Sequence, residues 1–145
     1  QDDYLLVDGY NIIFAWDELK AIAAEDVNAA RERLVNIMSN YQGVRRCHLI
    51  LVFDAYKVKG GTGSVEKRHG THTVYTREAL TADMYIEQAS YDLSRRHRVR
   101  VATSDGMEQM IILGHGAERM SATELKWEVE QADEHLHGII QNLQP

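Results

Sequence analysis

Cysteine is almost missing from this 145-residue chain. Cys47 stands alone, so no internal disulfide can form and a reducing, cytoplasmic setting is expected. Proline occurs once, at Pro145, so no proline-rich linker divides the chain. Long apolar runs are absent too; a stretch such as Leu49 to Phe53 is far too short to span a bilayer. No charged-then-apolar leader opens the sequence, which gives no sign of secretion. Basic excess is lacking as well: 16 Lys and Arg against 22 Asp and Glu leave −6, which argues against coating a nucleic acid by bulk charge. There is neither HExxH nor a CxxC pair, and His135 and His137 stand two apart where a helix cannot aim both one way, so zinc is not expected. The GxxxxGK[ST] phosphate loop is missing. The chain opens on Gln1, and the expectation is one domain over 1–145, either processed or cut from a longer protein.

What remains is ordinary globular composition, 44% hydrophobic and 26% charged, with a regular alternation. Short apolar runs at Tyr4–Val7, Leu49–Phe53 and Val99–Thr103 read as strands, with a weaker one at His72–Thr76. Between them lie helical stripes. Asp26 precedes Val27, Ala30, Leu34, Ile37, Met38 and Tyr41. Thr81 precedes Ile86, Ala89, Ser90 and Leu93. A short helix is expected at Met107–Leu113. Ser121 with Glu124 makes a capping box, opening a last helix through Leu125, Val129, Ala132, Leu136 and Ile139. Continuous apolar strands alternating with amphipathic helices predict an α/β fold with a mostly parallel sheet covered on both faces.

In such sheets ligands gather at the carboxyl ends of the strands, where the strand order reverses. Asp8, Asp54 and Asp105 each follow a strand, and Asp83 opens the helix after Thr81. Any one of them reads as a cap or turn residue. Four on one edge would repel each other, and a hard cation that prefers carboxylate oxygen, Mg²⁺ or Mn²⁺, would relieve that cost. Asn11, three residues after Asp8, is placed to hold a water or orient Asp8, or simply to stabilise a turn. Ser104 reads as a turn residue first and an accessory group second. Glu87 and Glu108 stand one turn beyond Asp83 and Asp105. The segment Lys57–Arg77 carries Lys57, Lys59, Lys67, Arg68 and Arg77 against Glu66, a net of +4 that leaves −10 for the rest. Rich in glycine, it reads as a basic loop beside the acids, suited to a polyanion backbone or merely solvated. A second basic group, Arg95, Arg96, Arg98 and Arg100, belongs at the opposite sheet edge. Trp16 and Trp127 read as packing residues.

In order, Leu-Val-Asp8-Gly-Tyr-Asn11, Val-Phe-Asp54-Ala, Thr81-Ala-Asp83 and Ala-Thr-Ser-Asp105 resemble the NYN domain, a branch of the PIN-like nucleases, and within it the bacterial YacP-type subgroup. The likeness runs from Tyr4 through the last helix. It implies a three-layer α/β/α sandwich and a divalent-metal endoribonuclease, with relatives acting on RNA at the ribosome. It also implies that the domain can be joined to a translation-related module. Carried over by position, Asp8, Asn11, Asp54, Asp83 and Asp105 match the family's catalytic site, with Asp8, Asp83 and Asp105 holding one or two Mg²⁺ or Mn²⁺. Lys57, Lys59, Lys67 and Arg68 are then the expected RNA guides. One departure stands out. Where PIN-like proteins often carry a second acid beside the one opening the central helix, this chain has Met84, a poor ligand for a hard cation, and Glu87 or Glu108 would have to compensate. The alternative is therefore a non-catalytic RNA- or ribosome-binding module with a degenerate nuclease site. A phosphoacceptor receiver fits poorly, because Asp8 is followed by Gly9 and the first lysine after Asp105 is Lys126.

Overall fold

The structure, a computed structural model, describes residues 3–54, 63–68, 70–106 and 116–143. Lys57, Lys59, Glu108 and the expected helix at Met107–Leu113 lie outside the described residues. The described elements run β1 (Asp3–Asp8), α1 (Gly9–Ala15), α2 (Asp17–Glu25), α3 (Val27–Arg45), β2 (His48–Phe53), β3 (Ser64–Arg68), β4 (Thr71–Tyr75), α4 (Ala82–Ser94), β5 (Arg98–Ala102), β6 (Glu118–Met120) and α5 (Ala122–Leu143). They build one sheet in the order β3-β4-β2-β1-β5-β6, parallel throughout except for β3 against β4.

Strand alternation divides the core into two. Leu5, Val7, Leu49, Leu51 and Phe53 pack with α1, α2, α3 and α5, while Leu6, Val52, Val74, Val99 and Val101 pack with Ala82 and Ile86 of α4. Helices on both faces of a mostly parallel sheet are the expected α/β/α layers. Each expected cap is present. The Asp26 carboxylate accepts the Asn28 N–H at 2.9 Å, and Thr81 Oγ1 accepts the Met84 N–H at 3.2 Å. The capping box closes from both sides: Glu124 N–H donates to Ser121 Oγ at 3.0 Å and Ser121 N–H to Glu124 Oε1 at 3.2 Å. Trp16 is core, as expected, its indole Nε1–H donating to the Ala122 carbonyl at 2.8 Å.

Several features depart from the expectation. Residues 9–25 form two helices for which sequence reading named no apolar stripe. Part of the basic segment is an edge strand, β3, exposed on both sides; Ser-Val-Glu-Lys-Arg has no apolar face to announce it, and such charged edges discourage stray pairing. Trp127 is exposed rather than packed, and the α5 stripe is buried only through Ala132, with Leu136 and Ile139 open to solvent. Arg98 and Arg100 do sit at the amino edge, as expected, but paired. Arg98 bonds Glu118, and Arg100 reaches Glu128 of α5 at 3.2 Å.

Tyr41 completes that second cluster, its buried hydroxyl donating to Glu128 Oε1 at 2.5 Å. Burial first, then the bond to Glu128, pushes its pKa up to about 12. A folded-state pKa above the unfolded value of about 10 means stability that is complete below pH 10 and drains away as pH rises toward 12. An absorbance titration of tyrosinate is therefore expected to show Tyr41 ionising near pH 12 together with alkaline unfolding, and Tyr41→Phe to reduce that step by one tyrosine, leaving Tyr75, which burial also raises. A step of undiminished amplitude in the variant refutes the assignment.

Candidate active site

β1 lies between β2 and β5, so the chain leaves β1 to one side and returns on the other. That is the reversal of strand order at which open parallel sheets bind ligands. Asp8 ends β1, Asp54 follows β2, and Asp105 follows β5, which brings the carboxyl ends of three neighbouring strands together. Asp83 arrives from the first turn of α4.

A cleft of about 320 Å³ opens here, walled by Asp8, Asp54, Asp83, Asn11, Ser104, Tyr10, Phe14 and Ala15. Asp8 is nearly buried, at 5% exposure. Asp83 lines the same cleft, close enough for the two carboxyls to influence each other. The Asp83 carboxyl is pushed above its ordinary range, first by desolvation in the cleft, then by the charges of Asp105 and Asp54, with Asp8 acting the other way. Asp105, half-buried, thus stands close enough to act on Asp83 without forming the cleft wall.

The other polar groups are committed. Asp54 Oδ1 accepts the Ala82 N–H, fixing the start of α4 and hence the placement of Asp83. Asn11 Oδ1 accepts from both the backbone N–H and the hydroxyl of Ser104, the latter at 2.6 Å, and so ties α1 to the segment after β5. Through this oxygen Asn11 acts as a brace between elements. The turn after β5 is held by Thr103 Oγ1, which accepts the Asp105 N–H at 3.1 Å, rather than by Ser104. Glu87 is exposed and lines a separate hollow on α4 with Met84 and Tyr91, so it does not enter the acidic cleft.

Lys67 and Arg68 are not beside the acids. Antiparallel pairing sets Lys67 opposite His72 and Arg68 opposite Thr71, at the amino end of β4, whereas the acids stand at the carboxyl edge. Arg68 Nη1 donates to Asn36 Oδ1 at 2.9 Å. Both residues instead line a cleft of about 360 Å³ between α3 and the β3–β4 hairpin, with Arg31 and Tyr75. A shared wall separates that cleft from the acidic one. Arg31 Nη1 donates to the Tyr10 hydroxyl at 2.9 Å, Tyr10 meets Phe53 edge-on, and Phe53 stacks on Tyr75 with centroids 5.7 Å apart.

Would these residues suit a divalent cation? Among the described residues no group of three His, Cys, Asp or Glu side chains closes around one ion. The described residues alone thus form no dedicated cage. They do suit Mg²⁺ or Mn²⁺, which take one or two carboxylates and complete their shell with water and substrate oxygens. Asp83, raised first by desolvation, also feels the charges of Asp105 and Asp54, which a cation would neutralise.

Carboxylates gathered at the strand-order reversal of a mostly parallel, two-faced sheet place the chain among α/β proteins with an acidic site at that edge. The chain belongs to the YacP-like NYN domain family, whose model matches residues 5–144. It is 41% identical over 145 residues to YacP of Bacillus subtilis (strain 168), covering 97% of this chain and 83% of that protein. Two crystal structures of Rae1 (YacP) from Bacillus subtilis align on 97% of this chain, each with a TM-score of 0.84. The first, at 39% identity, is covered over 81% of its length; the other, a W164L mutant at 37%, over 83%.

Phe14 and Tyr10, which wall the acidic cleft, and Arg31, which lines the neighbouring one, were not singled out by sequence reading. The available signal was the i, i+3 spacing of Asn11 and Phe14, but a seven-residue helix opening on glycine shows too little periodicity to betray a face.

Proposed function

We propose that the chain is a divalent-metal-dependent endoribonuclease hydrolysing RNA phosphodiester bonds. The observation that carries this reading is the convergence of Asp8, Asp54 and Asp83 on one cleft at the strand-order reversal, with Asp105 close enough to act on Asp83. Asp8 and Asp83, supported by Asp105, would hold Mg²⁺ or Mn²⁺. When bound, the cation supplies Lewis-acid activation of water and neutralises charge on the scissile phosphate. Asp54 acts as a positioning residue through the amino end of α4. Asn11 and Ser104 keep α1 and the β5 exit at fixed separation, so the acids do not drift apart. Arg31, Lys67 and Arg68 offer backbone contacts along the neighbouring cleft, which position RNA without reading its bases.

A second reading has one observation in its favour. Met84 is apolar and exposed beside Asp83, and no three acids close on an ion among the described residues, as expected for a binding module with a decayed centre. Incubation with 5′-labelled single-stranded RNA separates the two. The nuclease reading expects fragments with 5′-phosphate and 3′-hydroxyl ends in Mn²⁺ or Mg²⁺ and none in EDTA. Strong, salt-sensitive binding without cleavage in either metal would establish the module instead.

A further inference from the structure

Phe14 stands half out of the protein, at 48% exposure, in the wall of the acidic cleft. The chain has two phenylalanines, and the other, Phe53, is completely buried. Its neighbours in α1 are not loose: Ile12 and Ile13 are fully buried, and Trp16, immediately after the helix, is pinned to Ala122. The ring is thus carried on a rigid support, one helical turn (about 5 Å) beyond Asn11 on the same face. Scattered exposed apolar side chains need no explanation, but an aromatic ring set among carboxylates at a site for a polyanion is a different matter.

Without a cation the acidic cleft repels phosphate, and the chain as a whole carries −6. A contact that does not depend on charge would add affinity for RNA at this edge. Stacking of a base on an aromatic face supplies it, independently of sequence, because every base has a π-face. A paired base inside an A-form helix has no face to offer, whereas unpaired bases splay out onto such rings. We infer that Phe14 is a nucleobase-stacking residue that seats an unpaired RNA base beside the acidic cleft, so that the site selects single-stranded over duplex RNA. The inference rests on the nuclease reading for its substrate class. It assigns the ring a positioning role, since it touches the base and not the reacting phosphate.

The test uses the 145-residue protein with a fluorescein-labelled oligoadenylate 12-mer, measuring cleavage in Mn²⁺ and anisotropy in EDTA. Phe14→Ala and Phe14→Leu are expected to raise KM about tenfold with kcat within twofold, about 1.4 kcal/mol of lost binding. Phe14→Trp should restore KM. The salt dependence of binding should keep its slope, since no phosphate contact is lost. The wild type should also prefer the single strand to a 12-base-pair duplex, and Phe14→Ala should lose that preference. A KM for Phe14→Ala within twofold of wild type, or Phe14→Leu equal to wild type, overturns the inference while leaving the nuclease reading standing. Tenfold weaker binding by Phe14→Ala in EDTA, with no cleavage by any form in Mn²⁺, supports the base site and sinks the nuclease reading. A wild type that neither binds nor cuts the oligomer overturns both.

Discussion

Asp8→Asn is expected to lower RNA cleavage by at least about 10²–10³-fold, the range seen when one preorganised charge-stabilising group is removed from a reaction centre. The reason lies in its position. Asp8 ends the central strand, is nearly buried, and shares the cleft with Asp83 while Asp54 and Asp105 charge the same space. Asparagine keeps the shape, so packing is preserved and only the charge is lost. Removing one of several crowded like charges relieves the fold, so in EDTA the variant should melt no lower than wild type. Added Mg²⁺ or Mn²⁺ should then raise the melting temperature of the wild type and not that of Asp8→Asn, because a ligand stabilises only the state that binds it. Cleavage within a few-fold of wild type, or an equal metal-dependent shift in both proteins, would remove Asp8 from the site. Loss of activity accompanied by a large fall in melting temperature would make Asp8 a structural residue instead.

Gly9→Ala is expected to destabilise the domain by about 1–3 kcal/mol, the usual cost of overpacking a core. Two effects oppose each other here. Alanine is the better helix former by about 1 kcal/mol, and Gly9 opens α1 without a positive φ, so propensity alone predicts a gain. Against it, a Cβ at this position would stand 2.3 to 2.8 Å from three atoms of the Phe53 ring. That ring has no room to yield, being fully buried between Tyr10 and Tyr75. The clash should win, and the strain falls on Asp8 and Asp54, the residues next to Gly9 and Phe53. Urea unfolding measures the cost, and Phe53→Leu in the Gly9→Ala background should recover part of it, a coupling that two independent lesions would not show. Gly9→Ala as stable as wild type would mean that the close approach of α1 to Phe53 is not a constraint.

The elements that sequence reading identified are those whose signal is local. Leu49–Phe53 is apolar because both of its faces meet helices, and Asp26, Thr81, Ser121 and Glu124 bond backbone groups two or three residues away. Asp8, Asp54, Asp83 and Asp105 were legible for a related reason: each is adjacent to the end or start of a recognisable element, and a parallel sheet puts those ends on one edge. Elements without such a signal stayed hidden. α1 is too short to show a face, and β3 has no buried side.

By itself, then, the sequence determined the layering, the caps and which edge of the sheet is acidic, since periodicity and capping act over a few residues. Tertiary structure decided the rest. The reversed direction of β3 carried Lys67 and Arg68 to the far end of β4, and strand order set β1 between β2 and β5. Contacts across 93 residues turned Asn11 into a brace for Ser104, and the packing of α1 left Phe14 facing the acids. These outcomes depend on strand order, strand direction and helix docking, which are set by burial summed over the whole domain and leave no trace in any short stretch of chain.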